Sequence, residues 1–110
     1  MSKKYLGKIE SVQFGFVGYQ DAMMGLRVSI DMKGSGVTAQ ITGGWIVERS
    51  KDTQWSEKDR IIEHGEMLLK VTEILKQAKV DCVSKLKGIP VECTFEGLEL
   101  KSWRVLEEVL

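Results

Sequence analysis

The stretch MMGLRVSIDMKGSGVTAQITGGWIV, residues 23–47, decides the fold of this chain. Apolar and polar side chains alternate over residues 23–32, as they do in a strand with one buried face. Residues 33–36 are glycine-rich and typical of a tight hairpin turn, and the alternation resumes after them. The stretch therefore predicts two antiparallel strands, residues 23–32 and 37–47, joined by a hairpin.

A further strand is predicted before this hairpin, over residues 5–17. Val12, Phe14 and Phe16 lie on one side of this strand, and the residues that alternate with them are Gln13, Gly15 and Val17. The alternation slips between Ile9 and Val12, which indicates a β-bulge. We expect the two phenylalanines to mark the buried face of this strand.

One long helix is predicted over Glu57–Ala78, after a polar loop at residues 48–55. Ser56 followed by Asp59 is an N-cap pattern. The apolar face is wider than one flat sheet needs, so either the sheet curls around the helix or a second subunit covers the excess. At about 100° per residue, the centre of this face is formed by Ile61, Gly65, Leu68, Thr72 and Leu75.

Two more strands are predicted after the helix. Residues 80–88 fit a short turn of helix, and residues 91–97 alternate with Cys93 on the buried face. Residues 98–106 fit a last strand, with a C-terminal helix as the alternative. The order β-β-β-α-β-β, in a single domain over residues 1–110, predicts an α+β fold: an antiparallel sheet with one long helix, or an OB-like small barrel.

Composition excludes several classes of function. The chain has 16 basic and 16 acidic residues, and this balance argues against non-specific binding to nucleic acid or anionic membrane. No apolar run is long enough to span a bilayer, and no apolar segment follows the basic N-terminus, so we expect a cytoplasmic protein without a membrane partner. Without a signal peptide, we expect Cys82 and Cys93 to be reduced thiols. One histidine and two separated cysteines also predict no metal site, and we expect no cofactor.

Two segments carry a resemblance: GKIESVQFGFVGYQDAMMGL, residues 7–26, and KLKGIPVECTFEGLELKSWRVLEEVL, residues 85–110. Together with the helix start at Trp55–Arg60, they resemble a family of small, uncharacterised proteins encoded by tailed bacteriophages and prophages. The resemblance implies a phage accessory protein acting in the cytoplasm of the bacterial host. It implies no activity and no catalytic or binding residue.

The first candidate site is the insert Tyr19, Gln20 and Asp21 between the first two strands. One interpretation is a plain turn, in which Gly18 takes a positive φ and Asp21 bonds the local backbone. The other is a projecting loop, in which the tyrosine ring and the glutamine amide contact a ligand or partner. We predict that Tyr19 and Gln20 contribute more to binding than to stability.

Two tryptophans mark further candidates. Trp45 follows a glycine pair, which fits either a bulge with the indole in the core or the cap of a pocket. Lys101, Trp103 and Arg104 form a basic-aromatic cluster on the last strand. That cluster fits either a sheet edge with Trp103 in the core or a surface that stacks a base and contacts phosphate.

No paired carboxylates, nucleophile motif or metal-ligand spacing is visible, so we expect a protein that is not an enzyme and has no catalytic residue. The leading hypothesis is a small phage or prophage accessory protein that binds a host protein or a small signalling ligand, for example in counter-defence. The alternative is an OB-like protein that binds single-stranded nucleic acid in phage replication or recombination. A structural component of the virion is a third hypothesis. The wide helix face predicts a homodimer.

Overall fold

The computed structural model describes residues 2–110. It has the predicted order β-β-β-α-β-β and the predicted α+β class. The strands are β1 Ser2–Val17, β2 Met23–Asp31, β3 Gly36–Trp45, β4 Pro90–Glu96 and β5 Glu99–Val105, and the helix is α1 Glu57–Ala78. Short 3-10 turns lie at Tyr19–Asp21, Val83–Leu86 and Glu107–Val109.

The five strands form one antiparallel sheet in the order β3-β2-β1-β4-β5. β1 is the central strand, because its C-terminal half pairs with β2 and its N-terminal half pairs with β4. The sheet curls into a half-barrel, and β3 and β5 are its two unpaired edges. The strand order is therefore OB-like, but the barrel stays open between β3 and β5.

The predicted bulge in β1 is confirmed, with a shift of register between Ile9 and Ser11. Beyond it, Phe14 lies opposite Leu26 and Phe16 lies opposite Met24, so both rings are on the side of the sheet that bears the core, as predicted. They are nevertheless 42% and 59% exposed. The expectation that they are buried is wrong because α1 packs mainly over β3 and leaves this end of β1 uncovered.

The helix begins and ends where the sequence predicts. The Ser56 hydroxyl accepts from the Asp59 N–H at 3.0 Å, and the Asp59 carboxylate accepts from the Ser56 N–H at 2.9 Å, which is a complete capping box. Trp55, just before the cap, stacks under the guanidinium of Arg60 at 4.4 Å. Trp55 precedes the N-cap and Arg60 is the fourth residue of the helix, which are the two positions that contact one another in a hydrophobic staple. Here the contact is a cation–π pair.

The predicted rotation of the helix is wrong by roughly 100°, since the side chains buried are Met67, Val71 and Ala78. The cause lies in Gly43 and Gly44 of β3. A Cβ on Gly44 would lie 3.1 Å from the Cα of Arg60, so a side chain here would require α1 to move away by a few tenths of an ångström. The Gly44 N–H donates to Nδ1 of His64 at 2.9 Å, which turns a polar side chain of the helix toward the sheet.

The core fills the concave side. Val91, Cys93 and Phe95 of β4 are buried there as predicted, with Leu86 beneath them. Both cysteines are free: Cys82 is exposed, and burial raises the pKa of the Cys93 thiol. The last segment is a strand through Val105, which excludes the alternative of a C-terminal α-helix there.

Candidate functional site

A cleft lies between the unpaired edges of β3 and β5, beside α1. It consists of two adjoining cavities of about 430 Å³ and about 620 Å³, which share Trp103 and Lys70. We call it the Trp103 cleft. Its apolar surface comes from Ile41, Leu69, Ile74 and Trp103, and its polar rim includes Lys70, Glu73 and Gln77.

Trp103 reaches this cleft because of its register in the sheet. It is the cross-strand partner of Cys93, so its indole lies on the concave side and packs against the core. β5 is an edge strand, however, and no other strand within residues 2–110 covers its other side. The indole is therefore half-buried, and it both supports the core and forms a wall of the cleft.

The cations beside Trp103 are already paired with carboxylates. Arg104 donates to Glu92 at 3.1 Å and to both carboxylate oxygens of Glu108 at 2.9 and 3.0 Å. These hydrogen bonds raise the pKa of Arg104 and lower that of Glu108 to about 2. Lys101 lies 3.6 Å from Glu96 and 3.3 Å from Glu99. The cluster therefore offers little surplus positive charge to a phosphate.

The insert between β1 and β2 is an ordered turn. Gly18 has φ 78°, as predicted, and Gln20 and Asp21 adopt left-handed φ values of 54° and 53°. The Asp21 N–H donates to the Gly18 carbonyl at 3.1 Å, which is a bond to the local backbone, as the plain-turn interpretation expected. The Asp21 side chain does not add a second one. Its carboxylate instead accepts from the guanidinium of Arg27 at 2.9 Å.

A second contact fixes the same turn to β3. The Gly18 N–H donates to Oε1 of Gln40 at 2.8 Å, and Gln40 is the cross-strand partner of Arg27. Two neighbouring side chains on the convex side of the sheet thus hold the turn at both ends. The Tyr19 side chain projects from it and is 70% exposed.

Trp45 lies near this turn and far from the Trp103 cleft. It is half-buried at the end of β3, opposite Met23, and the next residue, Ile46, donates its N–H to the Ala22 carbonyl at 2.9 Å. The predicted bulge at the preceding glycines is confirmed by a shift of register in the β2–β3 pairing. The candidate residues thus form two groups: Tyr19–Asp21 with Trp45 at one end, and Lys101–Arg104 on the β5 edge.

Sequence reasoning missed the helical wall of the Trp103 cleft, chiefly Lys70 and Ile74. No local signal marks these residues, since the wall exists only because the sheet stays open. It also missed the stack of Trp55 on Arg60, although a signal was present: the two residues occupy the positions before the N-cap and four after it.

Among residues 2–110, no group of three or more His, Cys, Asp or Glu side chains is placed to hold a metal ion. Nor does any helix in this part of the chain combine the length and apolar composition needed to cross a bilayer. Fold and site together define an α+β half-barrel with an open, Trp-lined cleft at its unclosed edge. Comparisons with protein-family models, curated proteins and solved structures find no match.

Proposed function

We propose that this protein is a small, non-enzymatic accessory protein of a phage or prophage. It binds a host protein at the Trp103 cleft. The observation that carries the proposal is the half-buried Trp103, which lies where an apolar cavity adjoins a more polar one with a rim of mixed charge. Protein interfaces have this anatomy, and tryptophan is enriched among the residues that dominate their binding energy.

A protein partner fits the cleft better than a small signalling ligand does. Sites for small ligands enclose most of the ligand's surface, whereas this cleft is open to solvent along the β3 and β5 edges. Both edges also have unpaired backbone N–H and C=O groups, to which an extended segment of a partner can add hydrogen bonds.

The alternative, single-stranded nucleic acid, is disfavoured by charge. Lys101 and Arg104 are each paired with two carboxylates, and the chain has zero net charge. A protein that binds the phosphate backbone needs free cations to release counterions. Trp103 offers one stacking surface for a base, but two of the cations beside it, Lys101 and Arg104, are paired with carboxylates.

The test uses Leu69→Glu, which places a charge in the cleft on a side chain that is 68% exposed, so that the fold is preserved. Tagged wild-type and variant proteins would be purified from phage-infected bacteria, and the affinity of each recovered partner measured by calorimetry. We expect the variant to bind at least about tenfold more weakly, as for a charge placed in a desolvated contact.

The matched control is Leu98→Glu, at the exposed tip of the β4–β5 hairpin, which should bind as the wild type does. Equal binding by all three proteins would exclude the cleft. Binding of a single-stranded oligonucleotide with a steep dependence on salt, abolished by Leu69→Glu, would establish the nucleic-acid alternative instead.

A further inference from the structure

We infer that the Trp103 cleft binds one extended segment of its protein partner as a sixth strand, inserted between β3 and β5. The inference rests on the proposed function, because it states how the cleft recognises a protein. The segment runs antiparallel to both edges. Its polar side chains face the convex side of the sheet, and its apolar side chains face the concave side, where one acidic residue meets Lys70.

The two unpaired edges of the sheet border the same cavity. The lining of the cavity of about 620 Å³ includes three consecutive residues of β3, 38–40, and four consecutive residues of β5, 100–103. Successive side chains of a strand point to opposite faces, so a cavity that consecutive residues all touch lies against the edge of the strand. We call this gap between the edges the strand slot. It continues into the adjoining cavity, beside Ile41 and residues 103–105.

The directions of β3 and β5 determine which occupant fits the strand slot. Every neighbouring pair in the order β3-β2-β1-β4-β5 is antiparallel, so β3 and β5 run in the same direction. Direct pairing of the two edges would be parallel, which is slightly less stable per residue. One strand that runs the opposite way is antiparallel to both edges at once, and it covers both of them.

The free backbone groups of β3 belong to Thr38 and Gln40. At the end of the β2–β3 pairing, the Met32 N–H donates to the carbonyl of Ser35 at 2.8 Å, so these two residues form a hydrogen-bonded pair. Hydrogen-bonded and non-hydrogen-bonded pairs alternate along an antiparallel ladder. Ala39 is therefore bonded to β2, whereas the N–H and C=O groups of Thr38 and Gln40 point into the strand slot.

The free backbone groups of β5 belong to Trp103 and Val105. At the end of the β4–β5 pairing, the Leu106 N–H donates to the Pro90 carbonyl at 3.0 Å. Alternation from this pair leaves the N–H and C=O groups of Val105 and Trp103 pointing away from β4. No turn, loop or cap within residues 2–110 bonds to the free backbone groups of either edge. An inserted strand can therefore form hydrogen bonds on both sides.

The walls of the strand slot determine the side chains of the segment. Ile41 and Trp103 border it on the concave side and favour apolar partners. Thr38 and Ser102 border it on the convex side, where cross-strand neighbours are polar. Because side chains of a strand alternate between the two faces, the segment should alternate apolar and polar residues.

Lys70 gives the segment its charge. Its side chain borders both cavities, and no carboxylate within residues 2–110 forms an ion pair with it, in contrast to Lys101 and Arg104. An acidic side chain on the concave face of the segment would supply the missing partner. Glu73 lies on the same rim one turn later in α1, and it disfavours a second acidic residue by repulsion.

Peptides selected on the protein test the inference, because an inserted strand needs no other part of a partner. A library of random peptides about ten residues long would be selected on immobilised wild-type protein, and the peptide that binds most tightly would be synthesised. We expect apolar and polar residues to alternate in this peptide, with one acidic residue among the apolar positions. Calorimetry then measures its affinity for the wild type and for each variant.

Thr38→Pro is the decisive variant, and Thr38→Val is its matched control. Proline removes an N–H that points into the strand slot, and the β2–β3 ladder loses no hydrogen bond, so the fold is preserved. Thr38→Val keeps this N–H and changes only the side chain. We expect Thr38→Pro to bind the peptide at least about tenfold more weakly than the wild type, and Thr38→Val to bind equally well. Circular dichroism would verify that both variants are folded.

Amide hydrogen exchange of the wild-type protein locates the strand without any substitution. The amides of Thr38, Gln40, Trp103 and Val105 should exchange rapidly in the free protein and become protected when the peptide binds. A spin label at the N-terminus of the peptide should broaden the amide signal of Val105 more than that of Leu100, because the peptide runs opposite to β5.

The outcomes separate this inference from the proposed function. If Leu69→Glu weakened binding of the peptide and Thr38→Pro did not, the inserted strand would be excluded and the cleft would stand. Selection of no peptide, or protection of none of the four amides, would also overturn the inference. Equal binding by the wild type and both of these variants would contradict the inserted strand and the cleft together.

Discussion

Gly15 and Gly25 are direct partners in the β1–β2 pairing, yet a side chain would have no room at Gly25 and open space at Gly15. A Cβ on Gly25 would collide with the backbone oxygen of Ile41 and lie 2.9 Å from Cγ2 of Val17. A Cβ on Gly15 would meet no atom within 4 Å. Packing therefore requires glycine at one position of the pair and not at the other.

We predict that Gly25→Ala lowers the free energy of unfolding by about 3 kcal/mol or more, because a backbone oxygen cannot rotate out of the way as a side chain can. Gly15→Ala should change it by no more than ~0.5 kcal/mol. Urea denaturation of the two variants measures both values. Equal losses for the two would contradict the packing described for Gly25.

Tyr19→Ala should cost no more than ~0.5 kcal/mol, because the ring projects from its turn into solvent. Gly18→Ala, one residue earlier, should cost about 1–3 kcal/mol, since alanine is strained at the φ of 78° found there. Its Cβ would also lie 2.8 Å from Sδ of Met23. If Tyr19→Ala instead lost several kcal/mol in a denaturant melt, the ring would belong to the core.

The pairing of Arg104 with Glu108 predicts a dependence on pH. Hydrogen bonds from Arg104 lower the pKa of Glu108 from 4.5 to about 2. The contribution of this pair to stability is therefore fully present above pH 4.5 and is lost as the pH falls toward 2. In Arg104→Leu, the pKa of Glu108 should return toward 4.5, as followed by NMR of the side-chain carboxyl carbon. Lys101→Leu is the control and should leave that pKa at about 2.

The two thiols should differ in reactivity in the folded protein. Cys82 is exposed, whereas Cys93 is buried with a raised pKa, which reduces its thiolate fraction. A colorimetric thiol reagent should titrate one cysteine without denaturant and the second only in urea. A Cys82–Cys93 bridge in an unreduced peptide map would show that the prediction of reduced thiols is wrong.

The bounds of α1 could be predicted from sequence because their signals are local. Ser56 and Asp59 form the cap from four neighbouring residues, and the apolar spacing continues to Ala78. The rotation of the helix could not be predicted in the same way. It depends on the contact of His64 with Gly44, a polar side chain meeting a distant strand, which a count of apolar residues does not register.

The candidate sites show the same difference between local and long-range signals. The turn at Tyr19–Asp21 was visible because Gly18 is a local signal for positive φ. The Trp103 cleft was not visible, because it depends on β3 and β5 failing to pair although the strand order permits a barrel. Whether two distant edges close is decided by the curl of the whole sheet and by the helix between them, and no single segment encodes it.

The central position of β1 has a consequence for the order of folding. Its C-terminal half pairs with β2, which follows after one short turn. Its N-terminal half pairs with β4, which is distant in sequence, so that Lys8 lies opposite Pro90 across a long loop. Closing that long loop costs more chain entropy than forming either hairpin, and such non-local pairings slow folding. The three-stranded meander of β1, β2 and β3 should therefore assemble first, and docking of the β4–β5 hairpin onto the start of β1 should limit the rate.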